Sequence, residues 1–207
     1  MIGSETLGTY LDRLASNDPT PGGGAAAAVH AAQAAALVAM VARFSTSTKY
    51  AAFEAEVREI TEAADAYAAA ALQLADADES AFQQVIGAYR LPKASEDEKT
   101  ARTQAIQAAL FAAAGPPQQL VELSASIVAL GERLVEFGNP NVIGDIAAAA
   151  EAARAAAATA RVNIDINLVG ITDRANIETL DRSIADAEAV ITAAEALAAR
   201  VRKQIRS

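Results

Sequence analysis

The sequence contains no cysteine, no tryptophan and only one histidine, His30. These absences exclude disulfide frameworks, zinc sites built on cysteine, and nucleophilic Cys–His pairs. Any catalysis must therefore rest on carboxylates, amides, hydroxyls, lysine or His30. A lone histidine within an alanine-rich helix is more often a hydrogen-bonded core residue than a catalyst. A core position is the favoured interpretation of His30, and a functional role is the alternative.

Positive charge is also scarce, with 17 Lys and Arg residues against 26 Asp and Glu residues and a net charge of −9. Nucleic-acid binding requires a basic surface, so we expect no nucleic-acid partner. Residues 1–20 lack the basic start and apolar segment of a signal peptide, which predicts a cytoplasmic protein.

Aromatic residues make up only 4% of the chain, although 53% of it is hydrophobic, mostly as alanine. Alanine is the strongest helix former, but each alanine buries little area. A stable core then requires many long helices or a subunit interface. No segment alternates convincingly at period two, and the apolar spacing does not keep the strict heptad of a coiled-coil scaffold. We therefore predict an all-α, single-domain, up-and-down bundle over residues 1–207.

Proline, glycine and capping residues predict where the helices begin and end. Two long helices are expected at about 25–44 and 51–90. Ser95 and Glu98 form a capping box for a third, which runs to about residue 114. A fourth ends near residue 137, and Asp145 and Asp173 can cap the last two.

No charged residue occurs from Pro19 to Ala42, a length sufficient to cross a bilayer. The stretch is nevertheless mostly alanine and glycine, contains His30 and Gln33, and has few strongly inserting residues. We interpret it as a buried helix and expect no membrane association, with a membrane span as the alternative.

The helix at 25–44 follows the stretch Asn17-Asp18-Pro19-Thr20-Pro21-Gly22-Gly23-Gly24. Exposed N–H groups and the positive end of a helix dipole can form an anion site at such a place. A tight turn into a core helix is the simpler interpretation, and the pattern alone favours it.

Asp76 and Asp78 are two residues apart on the second long helix, so their side chains point about 200° away from each other. The face of Asp76 is polar and should be solvated, whereas the face of Asp78 is apolar. A buried carboxyl tends to have a raised pKa, which suits a general acid or base near neutral pH. An internal salt bridge or a helix boundary at Asp78 remains an equal alternative.

Asn163 and Asn167 are four residues apart and share a helix face. Their amides could orient a heteroaromatic ligand or a water molecule, or they could cap neighbouring helices. Asp145 lies on the same face, but about 27 Å from Asn163 along a continuous helix. A site shared by these residues would need a second subunit or a bend.

Several segments occur in a specific order along the chain, although each is weak alone. They are Pro21-Gly22-Gly23-Gly24, Asp76-Ala77-Asp78 with Ala81-Phe82, Tyr89-Arg90-Leu91-Pro92-Lys93, Gly138-Asn139 with Asp145, and Asn163-Ile164-Asp165-Ile166-Asn167-Leu168 closed by Ile171-Thr172-Asp173. This ordered set resembles the cyclodeaminase/cyclohydrolase family of folate enzymes. That family includes the C-terminal domain of formiminotransferase-cyclodeaminase and stand-alone bacterial methenyltetrahydrofolate cyclohydrolases.

The resemblance implies an all-helical homodimer that binds a tetrahydrofolate derivative in a groove, with no metal or redox cofactor. It implies hydrolysis of 5,10-methenyltetrahydrofolate to formyltetrahydrofolate, or cyclisation of formiminotetrahydrofolate with release of ammonia. Asp78 would be the proton donor and acceptor. The glycine amides, with Lys49, Arg90 or Lys93, would hold the anionic tail of the ligand. The implied substrate-binding positions are Pro21, Gly22, Gly23, Gly24, Lys49, Arg90, Lys93, Asp145, Asn163 and Asn167.

Three positions depart from the family pattern. Ala25 replaces a serine after the glycines, Ser47-Thr48-Lys49 replaces a basic Gly-Lys-Lys stretch, and Gly144 replaces the serine of a Ser-Asp pair. The alternative function is therefore a non-catalytic, helical folate-binding or scaffold protein derived from this family.

Overall fold

The computed structural model describes residues 1–206, and these residues contain seven α-helices and no strand. The helices are α1 (Leu7–Leu14), α2 (Gly23–Arg43), α3 (Glu54–Tyr89), α4 (Glu96–Ala113), α5 (Gly115–Phe137), α6 (Gly144–Leu168) and α7 (Arg174–Ile205). Short 3₁₀ segments at Ile2–Ser4 and Thr48–Phe53 precede α1 and α3. The predicted all-α class is confirmed.

Alanine forms the centre of the bundle, where α2 packs against α3, α5 and α6. Ala31, Ala34 and Ala35 of α2 have no exposed surface, nor have Ala153 and Ala157 of α6. Such small side chains let two helix axes approach closely, so many short contacts replace a few large ones. Large buried residues, such as Ile60, Leu134 and Leu180, fill the spaces between helices further out.

The helix α2 runs antiparallel to both α3 and α6, so the bundle has two distinct ends. At the end we call the glycine end, Gly23 and Gly24 lie beside Asn163 of α6 and Asp78 of α3. At the opposite, distal end, the chain after α2 is joined to the chain before α6. There the Asn139 backbone N–H donates to the buried Ser45 Oγ at 2.9 Å.

Two of the predicted helix caps are confirmed and one is wrong. Ser95 and Glu98 form the complete capping box, and Asp173 accepts a hydrogen bond from the Asn176 N–H at 2.9 Å. Asp145 does not cap α6, because the turn before it is already helical and places Ile143 at the N-cap. Asp145 instead lies in the first turn, where its charge still complements the helix dipole.

The structure also corrects the predicted environments of His30 and Asp76. His30 is exposed on the outer face of α2 and is not a core residue. Asp76 is half-buried, because the N-terminal segment covers its face of α3 and the Ile2 N–H donates to Asp76 Oδ1 at 2.9 Å. Periodicity along one helix could not show that a separate segment would cover the polar face.

By length and composition alone, α2 could cross a membrane. Its most apolar window has a mean hydropathy of 1.7, and 56% of that window is buried within the bundle. The central helix of a water-soluble protein meets the same criterion. The cytoplasmic location and the absence of membrane association remain predictions.

Candidate active site

The carboxyl group of Asp78 lies against the first turn of α2. A Cβ atom added to Gly24 would lie only 2.1 Å from Asp78 Oδ1, so no residue with a side chain fits there unless Asp78 moves. The Ala25 backbone N–H donates a hydrogen bond to this carboxylate. Gly22, the N-cap of α2, makes no side-chain capping bond, and Asp78 of α3 supplies the missing acceptor from outside the helix.

Opposing effects act on the pKa of Asp78, and the net result is a raised pKa. Burial is the largest cause and raises it, because a carboxylate loses hydration in the bundle. The hydrogen bond from Ala25 lowers the pKa, and the nearby negative charge of Glu79 raises it. Arg13 pairs with Glu79, with Nη2 at 3.1 Å and 3.2 Å from its two carboxylate oxygens.

A small apolar void also borders Asp78. It measures about 10 Å³, close to the minimum for one water molecule, and Asp78 is the only side chain with a polar atom on its wall. The wall also includes Pro116 and Pro117 from the first turn of α5. Because proline has no N–H, this helix start offers Asp78 no donor at those positions.

In front of Asp78 is an open cleft of about 440 Å³. Its walls are the glycine turn, one face of α3, two apolar residues of α4 and the last turns of α6. The lining residues are Pro19, Thr20, Gly22, Gly23, Gly24, Asp78, Phe82, Val85, Tyr89, Leu110, Ala113, Asn163, Ile166 and Asn167. Asp78 is the only one of these with a formal charge at neutral pH, so a cation or a neutral ring system suits the cleft.

Asn163 and Asn167 present their amides along one side of the cleft. Asn163 Nδ2 donates to the Thr159 carbonyl at 2.8 Å, and Asn167 Nδ2 donates to the Asn163 carbonyl at 2.9 Å. These bonds orient both side chains and leave each amide an oxygen acceptor and a second N–H for a ligand. Asn163 Nδ2 also lies 3.8 Å from the position of a Cβ on Gly23, so the amide and the glycine turn are neighbours.

The structure brings together only part of the predicted substrate-binding set. Gly22, Gly23, Gly24, Asn163 and Asn167 line the cleft with Asp78. The Pro21 side chain is buried beside it, and Pro19 and Thr20 line the cleft instead.

Two further members of the set lie near the cleft, and two lie far away. Arg90 and Lys93 are exposed just beyond Tyr89. Lys49 and Asp145 are at the distal end, about 30 Å away along α2, so one protomer does not bring them to the cleft. That end has a cavity of its own, about 580 Å³, lined by residues between 43 and 62.

Sequence patterns missed the aromatic wall of the cleft. Phe82 and Tyr89 fit the apolar stripe of α3 and seemed to belong to the core, yet they are 43% and 51% exposed. Both follow Asp78 at helical spacings, four and eleven residues later, and so share its face. The occurrence of a carboxyl and two aromatic rings on one helix face is the sequence pattern that could have indicated a ligand cleft.

Comparison with known proteins shows which family the chain belongs to. Residues 6–186 match the family described as Formiminotransferase-cyclodeaminase. The chain belongs to this family. A solved family structure, formiminotetrahydrofolate cyclodeaminase from Thermotoga maritima, has a TM-score of 0.86 and 32% identity, and the match covers 100% of this chain and 98% of that one.

Two curated relatives in the family differ in length. A methenyltetrahydrofolate cyclohydrolase from Methylorubrum extorquens is 37% identical over 100% of this chain and 99% of the relative. A formimidoyltransferase-cyclodeaminase from Rattus norvegicus is 31% identical over 81% of this chain, but the match spans only 31% of the rat protein. The resemblance seen in the ordered motifs is therefore confirmed at the level of the family.

The contact between Gly24 and Asp78 predicts the effect of adding one methyl group. Gly24→Ala should lower the free energy of unfolding by about 1–3 kcal/mol, because the new Cβ forces the Asp78 carboxyl away from the Ala25 N–H. Gly87→Ala in α3 is the matched control, since nothing lies within 4 Å of its Cβ position and alanine is the better helix former there. Urea denaturation measures the free energy of unfolding of each variant.

In an Asp78→Ala background, Gly24→Ala should lower the free energy of unfolding much less, because the carboxyl is no longer there to be displaced. An equal decrease in the two backgrounds would show that Gly24 and Asp78 are not in contact.

The raised pKa of Asp78 predicts a pH-dependent difference between wild type and Asp78→Asn. Between the unfolded pKa, about 3.9, and the higher folded pKa, the folded wild type binds more protons than the unfolded chain. Wild-type stability relative to Asp78→Asn should therefore be greatest at acidic pH, decline as pH rises through the folded pKa, and then level off. Glu79→Gln should move this decline to lower pH. Denaturation curves across the pH range test the sign, and a relative gain in wild-type stability with rising pH would refute it.

Proposed function

We propose that this chain is a folate one-carbon enzyme that acts on the carbon between N5 and N10 of tetrahydrofolate, with Asp78 as general acid and base. One observation carries the proposal. A single carboxyl with a raised pKa is fixed by Gly24 and Ala25 inside an otherwise uncharged cleft. The names of the relatives, methenyltetrahydrofolate cyclohydrolase and formimidoyltransferase-cyclodeaminase, support the same substrate class.

In the hydrolytic reaction, ionised Asp78 accepts a proton from water while the water oxygen bonds to the cationic methenyl carbon. The resulting tetrahedral carbon loses its bond to one ring nitrogen, and Asp78 returns the proton to that nitrogen. The new hydroxyl group loses its own proton to solvent as its oxygen becomes the carbonyl of the formyl group, so the positive charge of the methenyl unit leaves as that proton. Burial raises the pKa of the Asp78 carboxyl above its ordinary value, which strengthens it as the base of the first step. Water is the only co-reactant, so we propose no metal and no redox cofactor.

The ammonia-releasing reaction uses the same groups in a different order. N10 of a formimino substrate attacks the formimino carbon, its proton passes to Asp78, and the tetrahedral carbon expels ammonia after Asp78 protonates the departing nitrogen. Asn163 and Asn167 orient the pterin or the attacking water in either case, through the amide groups that their helical hydrogen bonds leave free.

The decay of 5,10-methenyltetrahydrofolate absorbance tests the role of Asp78. Asp78→Asn keeps the size of the side chain but removes the base, and should lower the protein-catalysed rate by roughly 10²–10⁴-fold. Asp76→Asn is the matched control, because Asp76 lies on the same helix and accepts a bond from Ile2 outside the cleft. Equal rates for wild type and Asp78→Asn would exclude Asp78 as the base.

A parallel assay with formiminotetrahydrofolate, read by released ammonia, separates the cyclodeaminase from the cyclohydrolase. Wild type that accelerates neither reaction would instead support the non-catalytic folate-binding or scaffold alternative. One structural feature favours that alternative: Ala25, at the position of the usual family serine, is completely buried and brings no hydroxyl to the site.

We also propose that the chain works as a homodimer through the outer face of α2. That face combines exposed and half-buried residues that carry no formal charge at neutral pH: Ala26, Val29, His30, Gln33, Ala36, Leu37, Met40 and Phe44. The exposed Arg43 lies at the edge of this face and pairs with Asp65 of α3. Phe44 alone is 56% exposed. Uncharged, largely apolar surface on a chain with a net charge of −9 indicates a protein contact.

A two-fold axis across the middle of α2 would place the glycine end of one protomer beside the distal end of its partner. This arrangement would bring Lys49 and Asp145 of one copy toward the Asp78 cleft of the other, although they are about 30 Å from their own. It would thus reunite the predicted site residues that a single protomer separates.

Replacement of an exposed alanine on α2 tests the dimer. Ala36→Arg should convert a dimer into monomers in light scattering, because it puts a long charged side chain into the proposed interface. Ala196→Arg, at an exposed alanine on α7, is the matched control and should leave the mass unchanged. A dimeric Ala36→Arg variant, or a monomeric wild type, would refute this interface.

A further inference from the structure

The cleft has an aromatic residue at its outer limit. Tyr89 is the last residue of α3, lines the cleft, and is 51% exposed. It lies eleven residues after Asp78, or about 16 Å along the helix. An exposed ring at this distance cannot take part in proton transfer at Asp78, but it can contact a more remote part of a long ligand.

Arg102 of α4 holds the Tyr89 ring and backbone in place. Its guanidinium carbon lies 5.6 Å from the centre of the ring, and its Nη2 donates to the Tyr89 carbonyl at 3.0 Å. The first contact has cation–π geometry, and the second ties the end of α3 to α4. Arg102 Nε is buried without a hydrogen-bond partner in the described part of the chain, and the side chain's one hydrogen bond there is the bond to the Tyr89 carbonyl.

Two basic side chains follow the Tyr89 ring closely in the chain. Arg90 and Lys93 are both exposed, and neither forms an ion pair within residues 1–206. The cleft itself contributes only the negative charge of Asp78. The cleft therefore has a carboxylate at the glycine end and two exposed cations next to Tyr89 in the chain. Of the acidic residues that follow them, Glu96 pairs with Lys99, and Glu98 accepts from the Ala94 and Ser95 N–H groups.

We propose that the p-aminobenzoyl ring of a tetrahydrofolate substrate packs against Tyr89, with Arg102 as the positioning residue that holds Tyr89. This inference rests on the proposed function and gives the substrate one orientation. The one-carbon unit lies at Asp78, and the glutamate carboxylates point out of the cleft toward Arg90 and Lys93. The glycine amides then surround the reacting end of the ligand rather than its anionic tail.

Steady-state kinetics on methenyltetrahydrofolate test this orientation. Tyr89→Leu should raise KM about tenfold, equivalent to about 1.4 kcal/mol of binding, with little change in kcat, because the ring is remote from Asp78. Tyr89→Phe keeps the ring and should restore most of the affinity. Arg102→Met should raise KM severalfold in wild type but add nothing in the Tyr89→Leu background, because it acts through Tyr89. Arg102→Lys should have a KM between those of wild type and Arg102→Met, since lysine keeps the positive charge but lacks the planar guanidinium.

Calorimetric titration with two fragments gives a readout that does not require turnover. Tyr89→Leu should weaken the binding of p-aminobenzoylglutamate about tenfold and leave that of a tetrahydropterin without the tail unchanged. Unchanged KM and unchanged fragment binding in Tyr89→Leu would overturn this orientation, while wild-type turnover would still support the proposed function. If the wild type neither binds the fragments nor turns over the substrate, both the orientation and the proposed function are wrong.

Discussion

The hydrogen bond between the start of α2 and the Asp78 carboxylate connects the centre of the bundle to its candidate chemistry. α2 is the buried central helix, and its first turn has no side-chain cap of its own, so a carboxylate from α3 accepts the Ala25 N–H. Gly24 makes this possible because any side chain there would overlap Asp78. This contact is one of many between α2 and α3, and it holds the Asp78 carboxyl at the wall of the cleft.

The surroundings of Asp78 are built to keep this carboxyl poorly hydrated without leaving it unpaired. The void behind it is lined by alanine, leucine and two prolines, and burial raises its pKa. Ala25 opposes this effect with one N–H, while Glu79, paired with Arg13, adds nearby negative charge. The same packing that makes the bundle stable therefore raises the pKa of this carboxyl above its ordinary value and makes it a stronger base than an exposed aspartate.

The alanine-rich helices of this chain also shape its outer surface, above all the outer face of α2. Because small side chains bury little area, the bundle gains stability from many close contacts, and the uncharged outer face of α2 offers more area to a second copy. A dimer across that face would also account for the separation of the predicted residues, since Lys49 and Asp145 lie at the end of the molecule opposite Asp78.

Helical class, most boundaries, the capping box at Ser95 and the place of Asp78 on an apolar face of its helix could all be predicted from the sequence. They depend on local propensity and on which residues share a helix face, and both are properties of neighbouring residues in the chain. The catalytic role of Asp78 stays a prediction. Other features depend on segments far apart in sequence. The N-terminal segment covers Asp76, and the prolines of α5 lie behind Asp78. Phe82 and Tyr89 face the cleft between helices, whereas His30 is exposed because nothing in the described chain packs on its face of α2. Periodicity identifies a face of a helix, but only packing decides whether that face meets another helix, a cleft or solvent.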